Sequence, residues 1–134
     1  ELQDYNGAIK DYNTAIDIFP AFAEAYVNSG LAKVKLLNYT EAVTDYNKAL
    51  EINPSFEEAY INKGLAKLKL SDYPGAIEDY NKALEINPND AEAYVLRGIA
   101  KTVLNQKDSA CLDFSKAGEL GLEEAHEQIK KFCN

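Results

Sequence analysis

The stretch EEAYINKGLAKLKLSDYPGAIEDYNKALEINPND, residues 57–90, has a near copy on each side of it in the chain. Residues 23–56 are identical to it at 22 of 34 positions, and residues 91–124 at 12 of 34. The same step of 34 residues separates Tyr26, Tyr60 and Tyr94; Gly30, Gly64 and Gly98; and Ala42, Ala76 and Ala110. A fixed period of this length predicts stacked units, each of which is too small to bury its apolar face alone.

Each unit is predicted to form two helices. In residues 57–90, Pro74 suits the first turn of the second helix, where a missing N–H has no consequence. Asn87-Pro88 ends that helix, because the residue before a proline is kept out of the helical region. Ser55 stands three residues before Glu58, a pattern that predicts a capping box at the start of the first helix.

These units resemble the tetratricopeptide repeat (TPR) family. The resemblance is carried by the 34-residue period and by the pattern A-Y-x-x-x-G … A-x-x-x-[YF]-x-x-A … P. It implies an all-α fold, an α-solenoid of antiparallel helix pairs stacked into a right-handed superhelix. We assign residues 1–134 to a single domain: 1–22 as the second helix of an earlier repeat, 23–56, 57–90 and 91–122 as full repeats, and 123–134 as a capping helix. Since the first helix before residue 1 is absent from the sequence, we expect a piece of a longer protein.

Composition and charge argue against several classes of function. The chain has 14 Lys+Arg and 22 Asp+Glu, a net charge of −8, which disfavours binding to nucleic acid or to anionic membranes. No run approaches the ~18 apolar residues of a membrane span. There is one histidine, His126, for which we expect a packing role. Without a phosphate loop, a nucleophile–base pair or metal-ligand spacing, we expect no catalytic residue, no metal, no cofactor and no enzyme activity.

The two cysteines are expected to be reduced. Cys111 takes the place of Val43 and Ile77 in its column, which predicts a buried thiol, and Cys133 is predicted to be a free thiol near the end of the chain. Reduced cysteines favour a cytoplasmic location.

The resemblance further implies that the first helices line a concave groove. Its apolar candidates are Val27, Ile61 and Val95, Leu31, Leu65 and Ile99, and Val34 and Leu68, with Lys35 and Lys69 at the far edge. We expect the apolar columns to be spare for a ligand and not needed by the core between helices. The first-helix column Glu24, Glu58 and Glu92 stands near the helix starts, where the helix dipole favours acidic residues.

Asn28 and Asn62 are the sharpest candidates within this groove. A primary amide offers a donor and an acceptor side by side, so it can pair with the main chain of an extended peptide. Members of the family use asparagine at this point of the motif, whereas Leu96 interrupts the series in the third repeat. The alternative is that both asparagines are only solvated or bridge neighbouring helices.

Two polar columns were assigned no binding role. The Asp-Tyr-Asn triplets at 11–13, 45–47 and 79–81 are expected to place their carboxylates on a solvated outer face and their tyrosines in the core. The basic columns (Lys63 and Arg97 with Ser29; Lys33, Lys67 and Lys101) are expected at partly buried edges, with their stems covering apolar surface.

We therefore expect a protein–protein interaction module that binds a peptide or partner segment in the groove, as part of a longer scaffold or adaptor. The clamp with which some family members hold a chaperone's C-terminal carboxylate is not expected, because Val27 and Leu31 stand where it needs lysine and asparagine. The alternative is a self-association element: the stripe Ala8, Ile9, Tyr12, Ala15 and Ile18 is predicted to be exposed and to pack against a second copy as a homo-oligomer.

Overall fold

The computed structural model describes residues 2–134, which form eight α-helices and no strand. The helices are α1 (Leu2–Ile18), α2 (Ala23–Lys35), α3 (Tyr39–Ile52), α4 (Glu57–Lys69), α5 (Tyr73–Ile86), α6 (Ala91–Val103), α7 (Lys107–Glu119) and α8 (Glu124–Phe132). α2 pairs with α3, α4 with α5 and α6 with α7, and each pair stacks on the next. The prediction of an all-α solenoid is confirmed.

Close contact between a glycine and an aromatic ring defines each pair. Tyr46, Tyr80 and Phe114 are fully buried, as predicted, and they lie against Gly30, Gly64 and Gly98 respectively. A Cβ built on Gly30 would come 2.6 Å from Cε1 of Tyr46. Because only hydrogen fits there, the glycine lets the two backbones approach, and alanines with no exposed surface complete the interface: Ala42, Ala49, Ala76, Ala83, Ala110 and Ala117.

The helix ends are partly as predicted. α5 has Pro74 in its first turn and ends at Ile86, before Asn87-Pro88. The capping box predicted at Ser55 is wrong: α4 begins after Phe56, and the Ser55 N–H donates to Oδ1 of Asn53 at 3.1 Å.

The acidic column on the second helices is inside the fold, which corrects the prediction of a solvated face. Asp79 and Asp113 are 4% exposed. Nζ of Lys63 and Nζ of Lys67 each lie 2.8 Å from a carboxylate oxygen of Asp79. Burial of these carboxylates is tolerated because each has two cations beside it.

The same column links consecutive repeats. In the third pair, Nε and Nη2 of Arg97 donate to the two oxygens of Asp113 at 2.9 and 2.6 Å. Nη1 of Arg97 donates to Oδ1 of Asn81, on the preceding second helix, at 2.8 Å. Lys63 reaches Asn47 at 3.3 Å in the same way. Each basic residue therefore joins three successive helices.

The last helix is fastened to α7 by a disulfide bond. Cys111 and Cys133 are bonded, with their Cα atoms 5.8 Å apart, so the prediction of two reduced thiols is wrong. Phe132 stacks on Phe114 with ring centroids 6.2 Å apart, and Ala125 is fully buried. The cytoplasmic location predicted above loses its basis, since it rested on reduced cysteines.

Candidate functional site

The first helices of the pairs form one continuous surface. α2 contacts α4, and α4 contacts α6, along the stack. We therefore place α2, α4 and α6 on the concave side, in the position that the repeat pattern predicts. All the predicted groove residues belong to these three helices.

The two asparagines differ in their surroundings. Asn28, on α2, is exposed, whereas Asn62, on α4, is half-buried. Leu96 holds the corresponding half-buried position on α6. A ligand on the concave side would thus meet two amides and one leucine in succession.

A first cavity of about 230 Å³ lies between α2 and α4. Its lining residues are Glu24, Val27, Asn28, Phe56 and Glu58. Both glutamates are exposed, so carboxylates flank the opening while an aromatic ring and a valine contribute apolar surface. This arrangement suits a side chain that combines an apolar stem with a cationic or neutral polar end.

A second cavity, of about 290 Å³, lies between α1 and α2. On α1 it is lined by Tyr5, Ala8 and Tyr12, and on α2 by Asn28, Leu31, Ala32 and Lys35. Asn28 therefore stands between the two cavities and contributes to both. No other residue lines both of these cavities.

Not all of the predicted apolar columns are available. Val27 is 1% exposed and Val95 is 4% exposed, and each belongs to a core cluster. The expectation that the apolar columns are not needed by the core is therefore wrong for these two valines. Ile61, Leu31, Leu65 and Ile99 are half-buried, so part of each side chain faces solvent.

Charge is distributed unevenly over the groove. Glu24, Glu58 and Glu92 are exposed near the N-terminal ends of their helices, and Lys35 and Lys69 are exposed at the C-terminal ends. One edge of the groove is therefore acidic and the other basic. Such polarity would orient a peptide that carries opposite charges at its two ends.

Sequence reasoning missed two aromatic residues that line the cavities. Phe56 stands between α3 and α4 and contributes to the first cavity, and Tyr5 on α1 contributes to the second. The signal for Tyr5 was its column, since Tyr39 and Tyr73 stand 34 and 68 residues later. Phe56 had no such signal, because Asp90 follows it in the next repeat.

Neither a membrane span nor a metal cluster is found in the described part of the chain. No helix among residues 2–134 is both long and apolar enough to cross a bilayer. These residues also contain no group of three or more His, Cys, Asp or Glu side chains placed to bind a metal ion. His126 lies on α8, exposed and next to Gly118, a Cβ on which would come 3.4 Å from its Cε1.

Solved structures share this architecture. The TPR domain of OM64 from Arabidopsis is 28% identical over 82% of this chain and 93% of that one, with a TM-score of 0.79. The first TPR of Spaghetti (RPAP3), solved with the HSP90 peptide SRMEEVD, is 26% identical over 83% of this chain and 90% of that one, with a TM-score of 0.80. A structure of MamA, 22% identical over 89% of this chain and 70% of that one, has a TM-score of 0.85 and shows likeness of fold alone.

Comparison with protein families agrees with the structure. Residues 1–36 and 38–71 match the family described as TPR repeat, and residues 57–90 and 79–111 match tetratricopeptide repeat families. No curated protein matches the chain significantly. Because these matches span residues 1–111 and the fold agrees, the chain belongs to the tetratricopeptide repeat family, whose domains are protein-interaction modules.

Proposed function

We propose that the chain binds an extended peptide segment of a partner protein along the concave face of α2, α4 and α6. The observation that carries this proposal is the position of Asn28, which is exposed between two cavities. Its amide is placed to pair with a peptide's main chain while neighbouring side chains enter the cavities on either side. Asn62 supplies a second amide one repeat further on.

The charges of the groove narrow the class of peptide. Glu24 and Glu58 flank the first cavity, and the chain as a whole has a charge of −8. We infer that the preferred segment carries a basic or neutral residue at this cavity and an acidic one toward Lys35 and Lys69. The peptide SRMEEVD, which the Spaghetti structure contains, presents two glutamates and an aspartate and should bind poorly.

Selection from a library of unstructured peptides tests this proposal. The selected peptide's affinity is then measured for the wild-type chain, an Asn28→Ala/Asn62→Ala variant, and an Asn13→Ala control on the second-helix column. At about 0.5–1.5 kcal/mol for each net hydrogen bond, loss of both amides should weaken binding at least tenfold, with no change for the control. Equal affinity for all three chains would contradict the proposal.

Main-chain recognition has its own signature in the peptide. N-methylation removes a backbone donor and keeps the side chain, whereas alanine substitution does the reverse. We expect N-methylation opposite Asn28 to weaken binding more than alanine at the same residue. If alanine substitution is the more damaging change, the asparagines do not read the main chain.

A further inference from the structure

The face of α1 formed by Ala8, Asp11, Tyr12 and Ala15, here called the α1 face, lacks the cover that its counterparts have. Ala8, Tyr12 and Ala15 are only half-buried. The residues 34, 68 and 102 positions later are an alanine, an aromatic and an alanine, all with no exposed surface. Tyr5, Ala8 and Tyr12 instead form one wall of the second cavity.

The three later pairs show what such a face accepts. Each aromatic ring is covered by a glycine of the first helix, and a Cβ there would come 2.5–2.6 Å from the ring. A side chain of any size at that position would have to displace the ring from a packed core. A helix that covers Tyr12 in the same way must therefore carry glycine opposite the ring.

Charge specifies the covering helix further. Asp45, Asp79 and Asp113 are each held by a cation that stands three residues after the glycine, namely Lys33, Lys67 and Lys101. Asp79 and Asp113 are also held by the residue just before it, Lys63 or Arg97. Asp11 occupies the same column, is exposed, and has no ion-pair partner among the described residues.

We propose that the α1 face is a docking site for a helix of a partner polypeptide with the pattern (Lys/Arg)-Gly-x-x-Lys. Its glycine would lie over Tyr12, and its two cations would hold Asp11. The docked helix would lie beside α2 as α2 lies beside α4, and it would extend the concave surface next to Asn28.

A second copy of this chain fits the α1 face less well. Its helices with this pattern, α4 and α6, already have their glycines buried in their own pairs. Two α1 faces brought together would oppose Tyr12 to Tyr12 where a glycine is required. α8 turns charged residues outward, among them the exposed Glu127, Lys130 and Lys131.

The chain supplies its own probe for this site. A capped peptide of residues 57–70, EEAYINKGLAKLKL, contains Lys63-Gly64-Leu65-Ala66-Lys67. Titrated into isotope-labelled chain at up to millimolar concentration, it should shift the amide signals of α1 and α2. The same peptide with Gly64→Leu, or with Lys63→Glu and Lys67→Glu, should bind at least tenfold more weakly.

A charge swap decides the matter. Asp11→Lys should weaken binding of the unchanged peptide and strengthen binding of the Lys63→Glu/Lys67→Glu peptide, whereas Asp17→Lys, an equal charge change on the same helix, should do neither. The proposal is overturned if the glycine and charge variants bind like the parent peptide. It is also overturned if the signals that shift belong to α3 and α5, or if the chain is a dimer that excludes the peptide.

Discussion

Gly64 and the ring of Tyr80 are in direct contact across the α4–α5 interface. A Cβ on Gly64 would come 2.6 Å from Cε1 and 2.8 Å from Cζ of Tyr80, a ring with no exposed surface. Because alanine cannot be accommodated without moving the ring, we expect Gly64→Ala to lower the free energy of unfolding by about 1–3 kcal/mol. Urea denaturation followed by circular dichroism measures this.

Gly7 provides the matched control. It is exposed on α1, and a Cβ built on it meets nothing within 4 Å. Gly7→Ala should therefore stabilise the chain slightly, by up to about 1 kcal/mol, because alanine favours the helix more than glycine does. If the two substitutions have the same sign, close contact with Tyr80 is not what requires glycine at position 64.

The first pair lacks the bridge that the later pairs have. Oγ of Ser29 donates to Oδ2 of Asp45 at 2.7 Å, whereas Lys63 and Arg97, in the same column, also reach an asparagine of the preceding second helix. Ser29→Arg should hold Asp45 with two hydrogen bonds and reach Asn13. We expect a gain of about 0.5–1.5 kcal/mol, with increased amide protection in α1.

A double-mutant cycle with Asn13 checks the origin of that gain. Asn13→Ala should have almost no effect in the wild-type chain and should remove part of the gain in the Ser29→Arg chain. Loss of stability in Ser29→Arg itself, or a gain that is independent of Asn13, would show that the third pair's geometry is not transferable to the first.

The repeat pattern predicted the helices, their pairing and the glycine–aromatic contacts, because these follow from which residues recur every 34 positions. It could not predict that Val27 and Val95 are buried while Ile61 is half-buried. Periodicity identifies residues that share a face, but how far neighbours cover them depends on side chains such as Phe56, which do not recur.

Two further errors arose from treating columns or residues separately. Ser29, Lys63 and Arg97 each stand 16 residues before an aspartate of the second helices, a constant spacing that could have predicted the buried ion pairs. The disulfide bond had no such signal, since only the packing of α8 on α7 brings Cys133 near Cys111.

The buried phenols make stability depend on pH. Burial raises the pKa of Tyr46 and of Tyr80 well above the usual value near 10, with Asp45 and Asp79 adding to it. Since the folded chain keeps protons that the unfolded chain releases, stability should fall as pH rises above about 10. The loss is at most about 1.4 kcal/mol per pH unit for each phenol.

Phenylalanine at these two positions should remove that dependence. Neither hydroxyl has a hydrogen-bond partner among the described residues, and Phe114 already fills the third position of the column. Tyr46→Phe/Tyr80→Phe should be as stable as the wild type at pH 8 and more stable at pH 11, as judged by urea denaturation at each pH. Tyr5→Phe, outside the core, is the control; parallel pH profiles for the wild type and the double variant would contradict the assignment.

Reduction of the Cys111–Cys133 disulfide should loosen α8 and leave the rest of the stack folded. The bond closes a loop between residues 22 positions apart, for which the chain-entropy estimate is about 3 kcal/mol. Contacts in a repeat array are between neighbours, so the loss should be confined to α8 and its cover over Phe114. Hydrogen exchange with and without dithiothreitol should show faster exchange in Glu124–Phe132 and unchanged rates in α4 and α5. A Cys111→Ser/Cys133→Ser variant should resemble the reduced wild type and not respond to the reductant; slow exchange of α8 in that variant would mean that Ala125 and the Phe132 stack hold the helix without the bond.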